Sequence, residues 1–192
     1  MKKLILLFSV IFLSACSLNS SLSNQPTPTM TPQTPITASP SAKISPTTDA
    51  IIGLKTKNGQ IVIKLYKDQT PNTVATFLKK VNSGFYNGLT FHRVIAGFMA
   101  QGGDPTGTGT GGGSQKSELN QIPFKRGSLG LARTPATKEI SNDSQFFICF
   151  TDDGCQHLTG DYVNFGEVIS GFDILDQIQQ GDKIIEITTK TK

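Results

Sequence analysis

The residues best suited to chemistry in this 192-residue chain fall in two short blocks. Phe91-His92-Arg93-Val94-Ile95-Ala96-Gly97-Phe98-Met99-Ala100-Gln101-Gly102-Gly103-Asp104 alternates as strand, turn and strand, with Arg93 and Gln101 set among apolar neighbours. Asn142-Asp143-Ser144-Gln145-Phe146-Phe147-Ile148-Cys149 puts further aromatics on a strand. Arg93 brings a planar, permanently charged fork of donors. No nucleophile stands beside a plausible base, and H-E-x-x-H is absent. Three cysteines and two histidines have no zinc-ribbon spacing. The run Gly107–Ser114 lacks the lysine of a phosphate loop; Gly107, Gly109 and Gly112 match G-x-G-x-x-G by spacing, but no helical pattern follows, so the run reads as a loop edging a groove. What remains is a fixed cationic donor beside apolar side chains.

The elements that must position these blocks are legible around them. Ile51–Thr56 and Gln60–Tyr66 flank Lys57-Asn58-Gly59, and Asn-Gly is a strong hairpin signal. Thr70 is expected to cap a helix with Pro71 at its first position. Val74, Phe77, Leu78 and Val81 recur at helical spacing up to Gly84. Short strands are expected at Phe91–Ile95, Phe98–Gln101, Ser128–Ala132, Gln145–Phe150 and Val163–Ile169. A second helix, Phe172–Gln180, carries Phe172, Leu175 and Ile178 on one face, and Lys183–Thr189 alternates again. About eight short strands and two amphipathic helices suggest a mainly β fold, a closed eight-stranded antiparallel barrel with a helix over each open end.

The two blocks closely resemble the signatures of the cyclophilins, a barrel family of peptidyl-prolyl cis/trans isomerases. The first matches F-H-R-[VI]-I-x-G-F-M-x-Q-G-G-D at every fixed position and the second contains S-Q-F-F-I. Val163-Asn164-Phe165-Gly166 is similar to the family's V-x-F-G strand, and Ile122-Pro123-Phe124-Lys125-Arg126-Gly127 to a segment common in bacterial members. The resemblance spans about 51–189 in order. It implies catalysis of rotation about X-Pro bonds in proline-containing segments, with no metal, nucleotide or other cofactor. A non-catalytic peptide-binding module that keeps the groove is the rival reading; the intact set Arg93, Phe98, Gln101 and Phe147 argues against it.

By position the resemblance makes Arg93 the catalytic arginine, with Gln101 orienting it and His92 lining the site without acid/base work. Phe98, Met99, Phe147 and Leu158 fall on the apolar proline pocket. Phe146 should point the other way, into the core. Ala132 and Arg133 fall on a strand edge whose backbone would hold an extended peptide; family members often carry Asn where Arg133 stands. Gly109 and Gln145 fall on the neighbouring specificity region. His157 stands where many eukaryotic members have Trp, which implies weak cyclosporin binding, and Tyr162 completes that wall. Cys149 matches a frequent buried cysteine of the family. An exported protein could oxidise it with Cys155, but a strand-end residue pointing inward is expected to stay a free thiol.

Residues 1–15 read as an export signal: Lys2 and Lys3, then an apolar run from Leu4 to Leu13 too short to span a bilayer. Leu13-Ser14-Ala15-Cys16 resembles a lipobox, so Cys16 is the expected lipidation site and the membrane an expected partner. From Ser17 to Ala50, 20 of 34 residues are Pro, Ser or Thr. Such a stretch buries too little apolar area to offset its ordering entropy, so 16–50 reads as a linker reaching at most on the order of 100 Å. Residues 51–192 form the expected isomerase domain. The formal charge of +4 falls to +2 without Lys2 and Lys3, and the three arginines are scattered. Nucleic acid is therefore excluded as a partner. The expectation is a monomeric, extracytoplasmic lipoprotein acting on exported proteins, in the cell membrane or an outer membrane.

Overall fold

A computed structural model describes residues 50–190; the expected leader, Cys16 and the linker up to residue 49 lie outside the described residues. Strand β1 (Ala50–Thr56) turns through Asn58-Gly59 into β2 (Gly59–Leu65), with Thr56 opposite Gly59. Alternation buries Ile52 and Leu54 of β1 and Ile61, Ile63 and Leu65 of β2 completely. Helix α1 (Pro71–Asn82) buries Val74, Phe77 and Val81 against them, as their spacing predicts. Each such side chain contributes about 1.5–3 kcal/mol.

The cap of α1 differs from expectation. Thr70 Oγ1 donates to Tyr66 O (3.0 Å) and makes no cap bond. The Glu118 carboxylate, 45 residues from Thr73, accepts from the backbone N–H of Thr73 (2.7 Å) and of Asn72 (3.1 Å). A full negative charge suits the positive end of the helix better than a hydroxyl does. Burial pushes the Glu118 carboxyl up, but the bonds from Thr73 and Asn72 outweigh it and leave it below its ordinary value.

The remaining elements are β3 (Arg93–Ile95), β4 (Met99–Gly102), β5 (Ser114–Lys116), β6 (Ser128–Leu131), β7 (Ile140–Asn142), β8 (Phe146–Cys149), α2 (Asp152–Cys155), β9 (Asn164–Ser170), α3 (Phe172–Leu175) and β10 (Glu186–Lys190). One antiparallel sheet runs β10-β1-β2-β9-β6-β8-β4-β3, and β5 pairs with β7 apart from it. The eight strands are present, yet no ladder joins the edge strands β10 and β3. Their neighbouring segments meet through a bridge between Thr90 and Lys183 and a bond from Phe91 N to Asp182 O.

Three local expectations change. The helix foreseen over 172–180 stops at Leu175: Gln177 N and Ile178 N bond three residues back, a tighter turn that still buries Ile178 and brings Gly181 N to Phe91 O. The pair β5–β7 has no apolar alternation to announce it and is held by register, Gln115 opposite Ser141. Cys149 and Cys155 form a disulfide rather than staying free. Cys149 is fully buried, but on the face of β8 turned away from the main core, where α2 and the 3-10 turn Gln156–Leu158 fold back over the strand and bring Cys155, also fully buried, to meet it.

Strand alternation on β8 then makes two apolar clusters. Phe146 and Ile148 join the main core with Phe77, Tyr86, Phe91 and Phe165. Phe147 and Cys149 face the other way and pack with Met99, Phe124, Cys155 and Leu158. The first cluster holds the fold together, and the second floors a cavity.

Candidate active site

Register sets the site. Arg93 on β3 lies opposite Gln101 on β4, Gln101 opposite Phe147 on β8, and Phe147 opposite Gly130 on β6. Four strands thus carry one transverse row on one face. Gly130 is required by the close approach of the Phe147 ring: a Cβ there would lie 2.2 Å from Phe147 Cζ. Phe147 stacks on Phe124 (centroids 5.7 Å apart, planes at 20°) and meets Tyr162 edge-on at 5.8 Å. Its ring is thereby fixed with one face to the cavity.

A cavity of about 310 Å³ opens above this row, lined by Arg93, Phe98, Met99, Gln101, Ala132, Arg133, Phe147, His157, Leu158 and Tyr162. These are ten of the thirteen residues singled out for catalysis and substrate binding. His157 packs its ring 5.8 Å from that of Phe98. Gly109 and Gln145 line an adjoining cavity of about 270 Å³ that shares Gln101, Ala132 and Arg133 with the first. His92 lines neither: it lies beneath the loop at Gly109, where an added Cβ would sit 3.8 Å from the imidazole. Neither of its ring nitrogens has a hydrogen-bond partner among the described residues. Burial, partly offset by the Asp104 charge, holds its pKa below the ordinary value, so it is neutral at neutral pH.

Arg93 is oriented by a relay of hydrogen bonds. Its Nη1 donates to Gln101 Oε1 (3.2 Å), and Gln101 Nε2 donates to Gln145 Oε1 (2.9 Å). Gln145, almost fully buried, uses Nε2 to reach Gly111 O (2.8 Å) and Gly109 O (3.2 Å). Those carbonyls belong to the glycine-rich loop, which is held from below by Asp104. One Asp104 oxygen accepts from the N–H (2.8 Å) and Oγ1 (2.9 Å) of Thr106, the other from Gly109 N. Burial pushes the Asp104 carboxyl up, but the donors of Thr106, Gly109 and Gly111 outweigh it and bring the pKa to about 2. Asp104 was missed as a functional residue although it ends the first signature block. Phe124, the ring behind Phe147, was missed as well; the Ile122–Gly127 segment was its signal.

The strand edge is also shifted by one residue. Ala132 N donates to Gln145 O (3.0 Å) and Ala132 O accepts from Asn142 N (2.8 Å), so its main chain is engaged within the protein. The main-chain groups of Arg133 have no partner among the described residues, and the edge open to a peptide starts there. Also among the described residues, no group of three or more His, Cys, Asp or Glu side chains is placed to hold a metal ion.

The site thus sets a cationic donor over an aromatic-floored cavity, next to a strand edge with open main-chain groups. The sequence profile of the cyclophilin type peptidyl-prolyl cis-trans isomerase/CLD family matches residues 51–191. A peptidyl-prolyl cis-trans isomerase of Helicobacter pylori is 45% identical over 137 residues, covering 68% of this chain and 81% of that one. Peptidyl-prolyl cis-trans isomerase B of Bacillus subtilis is 42% identical over 132 residues, covering 67% and 89%. Among solved structures, a cyclophilin type peptidyl-prolyl cis-trans isomerase of Cryptosporidium parvum matches with a TM-score of 0.69 at 31% identity, over 75% of this chain and 99% of that one. This chain belongs to the cyclophilin-type peptidyl-prolyl cis-trans isomerases.

Proposed function

We propose that this isomerase acts outside the cytoplasm, held to a membrane through Cys16, and accelerates X-Pro isomerisation in exported proteins. The apolar cup formed by Phe98, Met99, Phe147 and Leu158 takes the proline ring, and the Arg133 main chain aligns the peptide. A planar amide resists rotation with a barrier of about 18–20 kcal/mol because resonance gives the C–N bond double-bond character. At the twisted state resonance is lost and the prolyl nitrogen carries a free lone pair. Arg93, held by Gln101 over the cup, donates to that lone pair more strongly than to the planar amide, and this difference lowers the barrier. Each tenfold in rate corresponds to about 1.4 kcal/mol of it. No proton changes hands in this reaction.

The observation that carries the catalytic assignment is the Arg93–Gln101–Phe147–Gly130 row, which sets donor and cup side by side. The structure of a Cryptosporidium parvum relative determined in the presence of the dipeptide Ala-Pro supports the substrate class. The Cys149–Cys155 disulfide supports an oxidising compartment. The test is cis-to-trans relaxation of a short X-Pro peptide with the wild-type chain and Arg93→Ala. Acceleration lost in the variant while the peptide still binds establishes the role of Arg93. A wild type that binds the peptide without accelerating it makes the groove a recognition module.

A further inference from the structure

Three arginines lie among the described residues, and only one is neutralised. Arg126 makes a two-pronged pair with Asp176 (2.8 and 2.9 Å). Arg93 and Arg133 both line the cavity, and neither has a carboxylate partner among the described residues. Arg133 is held instead by neutral groups. Its Nε donates to Asp161 O (3.0 Å), its Nη1 to Thr134 O (3.0 Å) and Thr137 O (3.4 Å), and the guanidinium lies 4.3 Å above the Tyr162 ring. Its Nη2 has no hydrogen bond among the described residues. These contacts fix the group in place and leave its charge intact.

Three of the surrounding carboxylates are already engaged, whereas that of Glu139, in the loop that follows Arg133, has no ion-pair partner among the described residues. Asp161 pairs with Lys138 (3.1 Å), Asp143 with Lys80 (3.5 Å), and both oxygens of Asp104 are taken by the glycine loop. The excess of positive charge is local, since residues 50–190 hold 14 basic and 13 acidic side chains. Arg133 lies on the wall common to the two cavities, so a peptide with its proline in the first places an adjacent residue beside it.

We propose that Arg133 makes the site selective for prolyl segments that carry a carboxylate within two residues of the proline. The inference rests on the isomerase reading of the same site and names its preferred substrate chemistry. A partly exposed ion pair shifts kcat/KM by up to about fivefold. An acidic residue gains by that factor over a neutral one, and a basic residue loses by a similar factor.

The experiment uses short peptides with Glu, Gln or Lys placed in turn at each of the two positions before and after proline. Turnover by the full chain is read by magnetisation exchange at equilibrium, which needs no coupling protease with preferences of its own. Wild type, Arg133→Gln and Arg133→Lys are compared at low ionic strength and in 1 M salt, where the Debye length falls to about 3 Å. The expected order at one position or more is Glu above Gln above Lys in wild type. It is kept in Arg133→Lys, lost in Arg133→Gln and flattened by salt. A purely structural role for Arg133 would slow all three peptides by a common factor and leave their ratios unchanged, which overturns the proposal. Equal wild-type turnover of the three at every position also overturns it, whatever the variants do. Absence of turnover even for the Gln peptides by folded wild type would instead remove the isomerase reading on which the proposal rests.

Discussion

Replacing Asp104 by Asn tests the relay that holds Arg93. The side chain keeps its size and one acceptor oxygen, but the other oxygen becomes an NH2 group facing the N–H of Gly109 or Thr106. A hydrogen bond to a charged group is worth about 1.5–3 kcal/mol net, and a buried donor left opposite a donor costs a similar amount. Relaxation of the loop recovers part of this, so a stability loss of roughly 2–3 kcal/mol is expected, read as a lowered melting temperature. The activity effect is separate. Once Gly109 and Gly111 shift, Gln145 loses its two carbonyl acceptors and Gln101 its fixed partner, leaving Arg93 with about 1 kcal/mol less orienting energy. That corresponds to about a fivefold fall in kcat. Phe98, Met99, Phe147 and Leu158 line the first cavity and Gly109 the second, so KM for a short peptide that reaches only the cup stays within about twofold. The assay is exchange spectroscopy well below the variant's melting temperature, for Asp104→Asn, Arg93→Ala and the double variant. If Asp104 acts through Arg93, the double variant is no slower than Arg93→Ala alone. A further fivefold loss in the Arg93→Ala background, or a KM effect in place of a kcat effect, would refute the relay.

Other outcomes follow from the same geometry. Gly130→Ala drives a Cβ into the Phe147 ring, and such overpacking costs about 1–3 kcal/mol; KM should rise as the ring tilts into the cup, and an unchanged KM would mean that the ring is not part of it. Reduction of Cys149–Cys155, or Cys149→Ser, should lower stability by about 2 kcal/mol, as expected for a small closed loop, and loosen the His157–Leu158 wall so that KM rises more than kcat falls; titration of the denatured, unreduced chain should find neither cysteine as a thiol. Because folding depresses the Asp104 pKa from 3.8 to about 2, its contribution is complete above about pH 5 and is lost as pH falls through the folded value; the stability gap between wild type and Asp104→Asn should be flat above pH 5 and narrow below pH 4, and a gap that widens with acid would contradict the assigned charge. With His157 in place of a Trp ring, cyclosporin should bind weakly in a direct titration, and tight binding would show that the His157 wall is sufficient.

What the sequence discloses about this protein depends on how far along the chain the physics acts. Alternation put Phe146 and Phe147 on opposite faces, and the structure sends one into the core and the other to the cavity, because a strand's period is a property of the strand alone. The helix at Pro71 was equally local, yet its cap was not. Thr70 had the right chemistry at the right place, but a carboxylate 48 residues away satisfies the same donors better, and no window around Thr70 contains it. The disulfide is hidden for the same reason: Cys149 lies on the Phe147 face of β8, away from the main core, and whether it meets a partner there depends on the one-turn helix Asp152–Cys155, too short to show a period. The site itself is a mixed case. Arg93, Gln101, Phe98 and Met99 come from one contiguous block, so their types and order were legible. Their alignment with Phe147 and Gly130 is set by cross-strand register over four strands. Asp104 shows the limit most clearly: buried, charged and catalytically silent by itself, it matters through a loop, two amides and finally a guanidinium. Each link is a hydrogen bond, and only the fold puts them in series.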